Sequence, residues 1–321
     1  MSNLPLDKLQ GWSKAGHRRV VGDALVMLAA EKSEVCTVTA DLTPTARLVE
    51  FKEAYPDRFF DVGIAEQNLI NFTAGLAKEG LRPFAVALAA IVPMRSAEQL
   101  RVGLGYMNLN GTIISIEAGT RFGPLGNTHY AMDDIAVARA IPNFTVISPS
   151  DPLQIYKAIF AAAEHDGPIY MRMTGAPGFP IMYPEDFEFE IGKAIEYREG
   201  KDVAFISTGS LLSEAVGAAD ILESKGISAR VIDMHTIKPL DTAMLDKVFA
   251  ENKLVVTVEE HTCIGGLGSA VAEYKSRFAD APKQIMASLC DSFQKLGDNA
   301  YHLKNNGLTA PDLATVAEKN L

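Results

Sequence analysis

Short, nearly continuous apolar runs alternate with helix-like segments along most of the chain. The runs that we interpret as strands cover residues 35–40, 84–90, 112–116, 144–147 and 169–173. The helix-like segments between them cover residues 20–30, 65–78, 97–107 and 152–165. Continuous apolar runs are typical of strands in a parallel sheet, because helices cover both faces of such a sheet. The alternation therefore predicts an α/β fold with mainly parallel sheets.

The character of the sequence changes after residue 175. Pro177, Pro180 and Pro184 are followed by a charged stretch over residues 185–201. A second α/β series then begins, with strands predicted at residues 203–207, 228–233 and 253–258. Because a chain of 321 residues exceeds the usual size of a single core, we expect two α/β domains, residues 1–190 and residues 191–321.

Charge and cysteine content argue against several classes of function. The chain carries 30 basic and 40 acidic residues, whereas a protein that binds the nucleic-acid backbone needs clustered lysines and arginines. We therefore expect no nucleic-acid partner. No apolar run is long enough to cross a bilayer, so we expect no membrane association. The cysteines, Cys36, Cys263 and Cys290, are far apart, which is typical of reduced thiols and predicts a cytoplasmic location.

The segment from Asp61 to Asn68 carries the best catalytic candidate. It reads as a strand end that turns into a helix, and Glu66 lies there among Val62, Ile64 and Leu69. Apolar surroundings disfavour the charged form of a carboxylate, so Glu66 can share a proton with a heterocyclic nitrogen. An acid in the first turn of a helix can also simply complement the helix dipole. The local sequence leaves both interpretations open.

Several short motifs, in one order along the chain, together resemble the transketolase family. They are Asp41-Leu42-Thr43-Pro44, residues 59–68, Thr128-His129, residues 141–143, 148–151, 233–240, 259–261 and 265–270. The resemblance covers nearly the whole chain, but it corresponds only to the pyrimidine-binding and C-terminal domains of a conventional transketolase. The Gly-Asp-Gly motif of the family's diphosphate-binding domain does not occur here. The chain therefore resembles the second subunit of a split transketolase.

The resemblance implies an activity that needs a second polypeptide. Thiamine diphosphate would be the cofactor, and a two-carbon ketol unit would pass from a ketose donor to an aldehyde acceptor. The partner would be the N-terminal half of a transketolase, which carries the diphosphate-binding domain, most simply in an α2β2 assembly. That partner would hold Mg²⁺ or Ca²⁺, since a metal-diphosphate site needs hard oxygen ligands. We expect no metal ligand in this chain.

The resemblance also assigns roles around the cofactor. Glu66 would hydrogen-bond the pyrimidine ring, Ile64 would support the bent cofactor, and Asp41 would lie near the ring and the subunit interface. The alternatives, in which these residues have only a structural role, are a core isoleucine at position 64 and a turn-forming aspartate at position 41. Ala90 and Ile91 fall where the family commonly has a stacking phenylalanine, so they would provide only apolar contact.

The substrate positions depart from the family pattern. His129 would face the donor sugar, and Arg18 (or its neighbour Arg19), Thr45 and Arg47 remain as anion contacts. The other substrate positions are changed: Glu117 replaces a histidine, Leu125 replaces an acid, and the distal arginine falls near Gly175. Arg172 corresponds to an inner arginine with a structural role. Since guanidinium groups suit phosphate, we expect an atypical sugar that is unphosphorylated or carries its charge elsewhere.

Two other functions remain open from the sequence. One is the β subunit of a 2-oxo-acid dehydrogenase decarboxylase component, which shares the two-domain layout and the catalytic glutamate. The other is a non-catalytic paralogue that assembles with a true transketolase subunit and regulates it. Retention of Glu66 argues against the regulatory interpretation, because an unused buried acid is costly when it ionises without a partner.

Overall fold

The computed structural model describes residues 4–321, which form two sheets flanked by helices. The helices before residue 190 are α1 (Leu6–Ala15), α2 (His17–Glu31), α3 (Val49–Ala54), α4 (Glu66–Lys78), α5 (Val92–Arg95), α6 (Ala97–Gln99), α7 (Asp134–Ala140) and α8 (Pro152–Glu164). The later helices are α9 (Leu212–Glu223), α10 (Thr242–Glu251), α11 (Leu267–Lys275), α12 (Asn299–Asn305) and α13 (Ala310–Glu318). None of the helices in this range is both long enough and apolar enough to span a membrane.

The first sheet has seven strands and the second has five. The strands before residue 190 are β1 (Val35–Thr39), β2 (Phe59–Asp61), β3 (Arg82–Leu88), β4 (Thr112–Ile116), β5 (Thr145–Ile147) and β6 (Ile169–Arg172). The later strands are β7 (Ile195–Arg198), β8 (Val203–Ser207), β9 (Ala229–Asp233), β10 (Thr236–Lys238), β11 (Leu254–Thr262) and β12 (Lys283–Leu289). The strand orders are β10-β5-β6-β4-β3-β1-β2 and β12-β11-β8-β9-β7.

The prediction of an α/β fold with mainly parallel sheets is confirmed. Among the described strands, only two pairings are antiparallel, β10 with β5 and β7 with β9. The β10 strand comes from the second half of the chain yet extends the first sheet, so the two halves are joined through a shared sheet edge. The second sheet begins at Ile195, and residues 1–190 and 191–321 stay our proposed domains.

The core explains why the strands read as continuous apolar runs. Phe84 and Val86 of β3 pack with α2 and α8 on one face of the first sheet, whereas Ala85 and Ala87 pack with α4 on the other. Successive side chains of a strand point to opposite faces, and here both faces are covered. Residues 112–116 of β4 are likewise buried throughout. The first sheet is therefore packed on both faces and supports the loops that follow its strands.

The helix predicted over residues 97–107 is not a regular one. The structure has the short α6 followed by a π-helical segment from Leu100 to Tyr106. π-helical turns are rare and frequently lie at functional sites. This segment contacts α4, the helix that begins with Glu66.

Candidate functional site

Most of the candidate residues lie along one edge of the first sheet. The strands β4, β3, β1 and β2 are parallel neighbours, so their carboxyl ends meet at the same edge. Asp41 follows β1, Ile64 follows β2, Ile91 follows β3 and Glu117 follows β4. Ligands of open α/β sheets bind outside the carboxyl ends of the strands. The topology thus gathers residues that are far apart in the sequence.

Glu66 begins α4, and its side chain is only 9% exposed. Its Oε2 atom accepts a hydrogen bond from Arg95 Nη1 at 2.6 Å. The expectation of a solitary acid in apolar company is therefore wrong, because α5 brings a guanidinium to the carboxylate. Arg95 thus occupies one of the two oxygens of the Glu66 carboxylate. No local pattern hints at this contact, which joins residues 29 positions apart.

Ile64 lies on the surface, with 75% of the residue exposed. The alternative of a plain core isoleucine is therefore wrong. Ile64 precedes Glu66 by two residues in the sequence, and its exposed side chain is free to contact a ligand. An apolar side chain exposed beside a nearly buried acid suits an aromatic ring that carries one basic nitrogen.

Asp61 ties the loop after β1 to the turn before Glu66. Its Oδ1 atom accepts hydrogen bonds from the backbone amides of Asp41 at 2.9 Å and Gly63 at 3.1 Å. Its Oδ2 atom accepts one from the Thr43 hydroxyl at 3.1 Å. Asp41 itself is exposed and adopts a left-handed backbone with φ of 57°, which aspartate tolerates in turns. The turn interpretation of Asp41 thus holds, and its side chain still faces solvent at the site edge.

Ala90 and Ile91 are half-buried and lead into α5. The Arg95 backbone amide donates to the Ile91 carbonyl at 2.8 Å, so Ile91 lies one helical turn from the arginine that pairs with Glu66. These two positions therefore lead into the helix that carries the ion-pair partner of Glu66. They offer an apolar surface without an aromatic ring.

Glu117 lies on the other part of the edge and is buried. Its Oε1 atom is 3.0 Å from Arg18 Nε and 3.4 Å from His17 Nε2. The charge of Glu117 is thus offset by Arg18, and part of the Arg18 guanidinium is already engaged. Arg18 Nη1 also donates to the Thr45 carbonyl at 3.3 Å, which brings those two substrate candidates together.

His17 is a site residue that no sequence motif indicated. It is buried, and its Nδ1 atom donates to the carbonyl oxygen of Gly175. Burial lowers the pKa of His17 to about 4, although the nearby Glu117 charge acts in the opposite direction. The side chain is therefore neutral near pH 7, and it joins the loop after β6 to the start of α2.

Gly175, near which the family's distal arginine falls, has no room for a side chain. A Cβ atom on Gly175 would lie 2.5 Å from Cδ2 of Phe179.

Arg121 lies close to the buried His17, since its charge acts on that residue. Its Nε atom is buried without a hydrogen-bond partner among the described residues. Arg121 is thus a further cation close to His17 that the motifs did not indicate.

Arg47 is exposed and lies on the loop between β1 and α3. Its backbone is left-handed, with φ of 58°, and its carbonyl oxygen packs against Gly22 of α2. A Cβ atom at Gly22 would lie 2.1 Å from that oxygen, so glycine is required there. Within the described part of the chain the Arg47 side chain makes no hydrogen bond and no ion pair.

Leu125 and His129 lie on the loop after β4. Leu125 is exposed, and His129 is half-buried with its Nδ1 atom 2.9 Å from the Thr128 hydroxyl. The loop is held by the second half of the chain, because the Asn127 side chain exchanges two hydrogen bonds with the backbone of Gln294, at 2.7 and 2.8 Å. The structure records no hydrogen bond between His129 and Glu66 within residues 4–321.

Arg172 takes the structural role that the family pattern implies. It is buried and forms an ion pair with Asp134, with Nε 2.8 Å from Oδ2. Its Nη2 atom donates to the carbonyl oxygens of Ala131 at 3.0 Å and Glu260 at 2.8 Å. These contacts join the two halves of the chain and leave no part of this arginine at the site edge.

Comparison with known proteins assigns the family. The transketolase pyrimidine-binding domain model matches residues 13–176, and the transketolase C-terminal domain model matches residues 192–311. One of the subunits of the apulose-4-phosphate transketolase of Phocaeicola vulgatus is 37% identical, over 80% of this chain and 82% of that protein. The 6-deoxy-6-sulfo-D-fructose transketolase subunit SqwH of Clostridium sp. (strain MSTE9) is 34% identical, over 92% of each chain.

A solved structure gives the same result. A split-gene transketolase, described as an inactive β4 tetramer, superposes with a TM-score of 0.86 and is 36% identical, covering 96% of this chain and 98% of that one. Fold, motifs and relatives agree on an α/β protein with a transketolase pyrimidine-binding domain and a transketolase C-terminal domain. The chain belongs to the transketolase family.

Proposed function

We propose that this chain is the pyrimidine-binding subunit of a heteromeric, thiamine-diphosphate-dependent transketolase. It would move a two-carbon ketol unit from a ketose donor to an aldehyde acceptor. The observation that carries the proposal is the nearly buried Glu66 carboxylate at the start of α4, two residues after an exposed isoleucine. Its similarity to split transketolase subunits over most of the chain supports the same assignment.

The residues at the cofactor-facing edge fit the pyrimidine half of thiamine diphosphate. When bound, the cofactor supplies a nucleophilic carbon and an electron sink for breaking a carbon–carbon bond. Glu66 would hold a proton at a ring nitrogen through its carboxylate, and Ile64 would support the ring from its exposed position. Asp41 would border the ring, and Ala90 and Ile91 would give apolar contact.

The substrate-facing residues support an atypical sugar. His129 would hydrogen-bond the donor, and Leu125 would leave one hydroxyl without its usual acidic partner. Arg18, Thr45 and Arg47 would contact an anionic group, but Arg18 is shared with Glu117. The relative from Clostridium acts on a sulfonated sugar by its name. A substrate whose anionic group is not an ordinary terminal phosphate would match this set of residues.

A partner subunit would complete the site. Within residues 4–321, no three His, Cys, Asp or Glu side chains are grouped as a metal site requires, and we propose that the partner holds Mg²⁺ or Ca²⁺. Near α5, Met94, Val102 and Tyr106 are exposed, the last to 83%. Clustered exposed apolar side chains favour a protein interface, consistent with an α2β2 assembly. The free cysteines fit the cytoplasmic location that we include in the proposal.

Reconstitution with the diphosphate-binding subunit tests the proposal. The complex, supplied with thiamine diphosphate and Mg²⁺, should catalyse ketol transfer from a panel of phosphorylated, sulfonated and unphosphorylated ketoses. It should not decarboxylate 2-oxo acids. Decarboxylation without ketol transfer would favour the dehydrogenase alternative. Activity that is equal with and without this chain would favour the regulatory alternative.

A further inference from the structure

The most informative contact outside the expected machinery is the ion pair between Glu66 and Arg95. Arg95 Nη1 lies 2.6 Å from Glu66 Oε2. The two partners differ in exposure, because the glutamate side chain is 9% exposed and the arginine side chain is 51% exposed. The carboxylate thus sits at the floor of the site, and the guanidinium reaches it from the solvent side.

The carboxylate has no second donor within the described residues, where Arg95 is the only group that hydrogen-bonds it. The Glu66 carboxylate can share a proton with a ring nitrogen, or it can pair with a guanidinium. These two interactions use the same oxygen atoms. The guanidinium occupies one of the carboxylate oxygens, Oε2, which a ring nitrogen would otherwise contact. Pairing with Arg95 therefore competes with binding of an aminopyrimidine.

Arg95 is carried by a segment that is short and irregular. It ends the single turn of α5, and the backbone leaves helical geometry at Ser96, with φ of −116° and ψ of 24°. The three-residue α6 and the π-helical segment of residues 100–106 follow directly. A half-exposed arginine on such a segment can turn away from the carboxylate, whereas Glu66 on the long α4 cannot leave the site.

We propose that Arg95 is a displaceable counter-ion, which pairs with Glu66 in the chain that lacks its cofactor and leaves when the aminopyrimidine engages the carboxylate. The inference rests on the proposed function. Its physical reason is that a nearly buried carboxylate is costly when it is charged and unpaired. Arg95 removes that cost before assembly, and loss of the pair is then one unfavourable component of cofactor binding.

Cofactor titration of the assembled complex tests the proposal. Thiamine diphosphate binding, with Mg²⁺ present, is measured by calorimetry for wild type, Arg95→Gln, Arg95→Lys and Arg101→Gln. Arg101 is an exposed arginine on the neighbouring π-helical segment whose side chain has no ion pair among the described residues, and it is the matched control. Because a partly exposed ion pair is weak, we expect Arg95→Gln to tighten the apparent Kd about threefold to fivefold. Arg95→Lys, which keeps the charge, and Arg101→Gln should stay near wild type.

An apparent Kd that is unchanged or weaker in Arg95→Gln would overturn the inference, because Arg95 would then be neutral toward the cofactor or would stay in contact with it. If ketol transfer is intact in that case, only this inference fails and the proposed function stands. If no variant binds the cofactor, both fail. Thermal unfolding of each variant checks that the fold is retained, and Arg95→Lys provides a second folded comparison.

Discussion

Two parts of the same sheet edge differ in how far they keep the transketolase pattern. The proposed cofactor-facing region (residues 41, 64–66 and 90–95) combines a nearly buried carboxylate with exposed and half-buried apolar side chains. The proposed substrate-facing region (residues 17–18, 45–47, 117–129 and 175) instead carries the buried Glu117, where the family resemblance implies a histidine. The loop after β1 contributes to both regions, but Glu66 follows β2 and Glu117 follows β4, so substrate choice can change while the proton-handling residue stays. We therefore expect ordinary chemistry on an unusual sugar.

The largest effect should come from the cofactor-facing region. Glu66→Gln keeps the size of the side chain but cannot hold a proton at a ring nitrogen as a carboxylate does. We expect the rate of ketol transfer by the reconstituted complex to fall by about a thousandfold, within the range for loss of acid–base catalysis. Initial rates at saturating cofactor measure the change. A loss of less than tenfold would remove Glu66 from its proposed role.

The second effect is a pH dependence of protein stability, which comes from His17 in the substrate-facing region. Its folded pKa of about 4 is below the ordinary value of 6.5, so the unfolded chain binds more protons between these values. Stability from neutral His17 is fully present above pH 6.5 and is lost as the pH falls toward 4, by about 3 kcal/mol in total.

The variant His17→Asn isolates this contribution, because asparagine can still donate to the Gly175 carbonyl but does not titrate. We expect the free energy of unfolding of wild type to fall relative to that of the variant between pH 7 and pH 4.5. Urea denaturation at several pH values measures the difference. A difference that is constant over this range would show that His17 is not held neutral by burial.

The third effect tests His129 on the loop after β4. His129→Asn should lower kcat/KM for the donor sugar about tenfold to twentyfold, because one hydrogen bond of roughly 1.5 kcal/mol to the substrate is lost. Cofactor affinity should not change, since His129 makes no hydrogen bond to Glu66 within residues 4–321. An equal loss of cofactor affinity would move His129 into the cofactor-facing region and blur the comparison.

The smallest effect should come from Glu117. The change Glu117→Gln removes a negative charge beside Arg18 and frees that guanidinium for an anion. We expect kcat/KM for ordinary ketose phosphates to rise about fivefold, a modest gain because Arg18 is partly exposed. Glu53→Gln, a change of an exposed acid on α3, is the charge-matched control. No gain, or the same gain in the control, would show that Glu117 does not set substrate preference.

Much of the fold was predictable because burial leaves a local signal. Residues 35–40 and 112–116 read as continuous apolar runs and form β1 and β4. The β10 strand has only three residues, and it pairs with β5 through a contact between the two halves, so no local pattern marks it. The segment 97–107 has the apolar content of a helix, but its hydrogen bonds are π-helical over residues 100–106.

The site residues were predictable where they belong to a motif or follow a strand. They were not predictable where they depend on contacts between residues far apart in the sequence. Glu66 and Ile64 stand out within residues 59–68. The Arg95 partner of Glu66 and the contact of His17 with Gly175, 158 residues away, arise only when the sheet brings its strand ends together. Charge pairs of this kind leave no spacing rule in a single sequence, which is why the prediction of the Glu66 environment was wrong.

The most direct test compares turnover by this chain alone with turnover by the chain mixed with its diphosphate-binding partner, both with thiamine diphosphate and Mg²⁺. We predict no ketol transfer by the chain alone, transfer by the mixture, and loss of that transfer when the mixture contains Glu66→Gln. Full turnover by the isolated chain, or undiminished turnover by the Glu66→Gln mixture, would contradict the account.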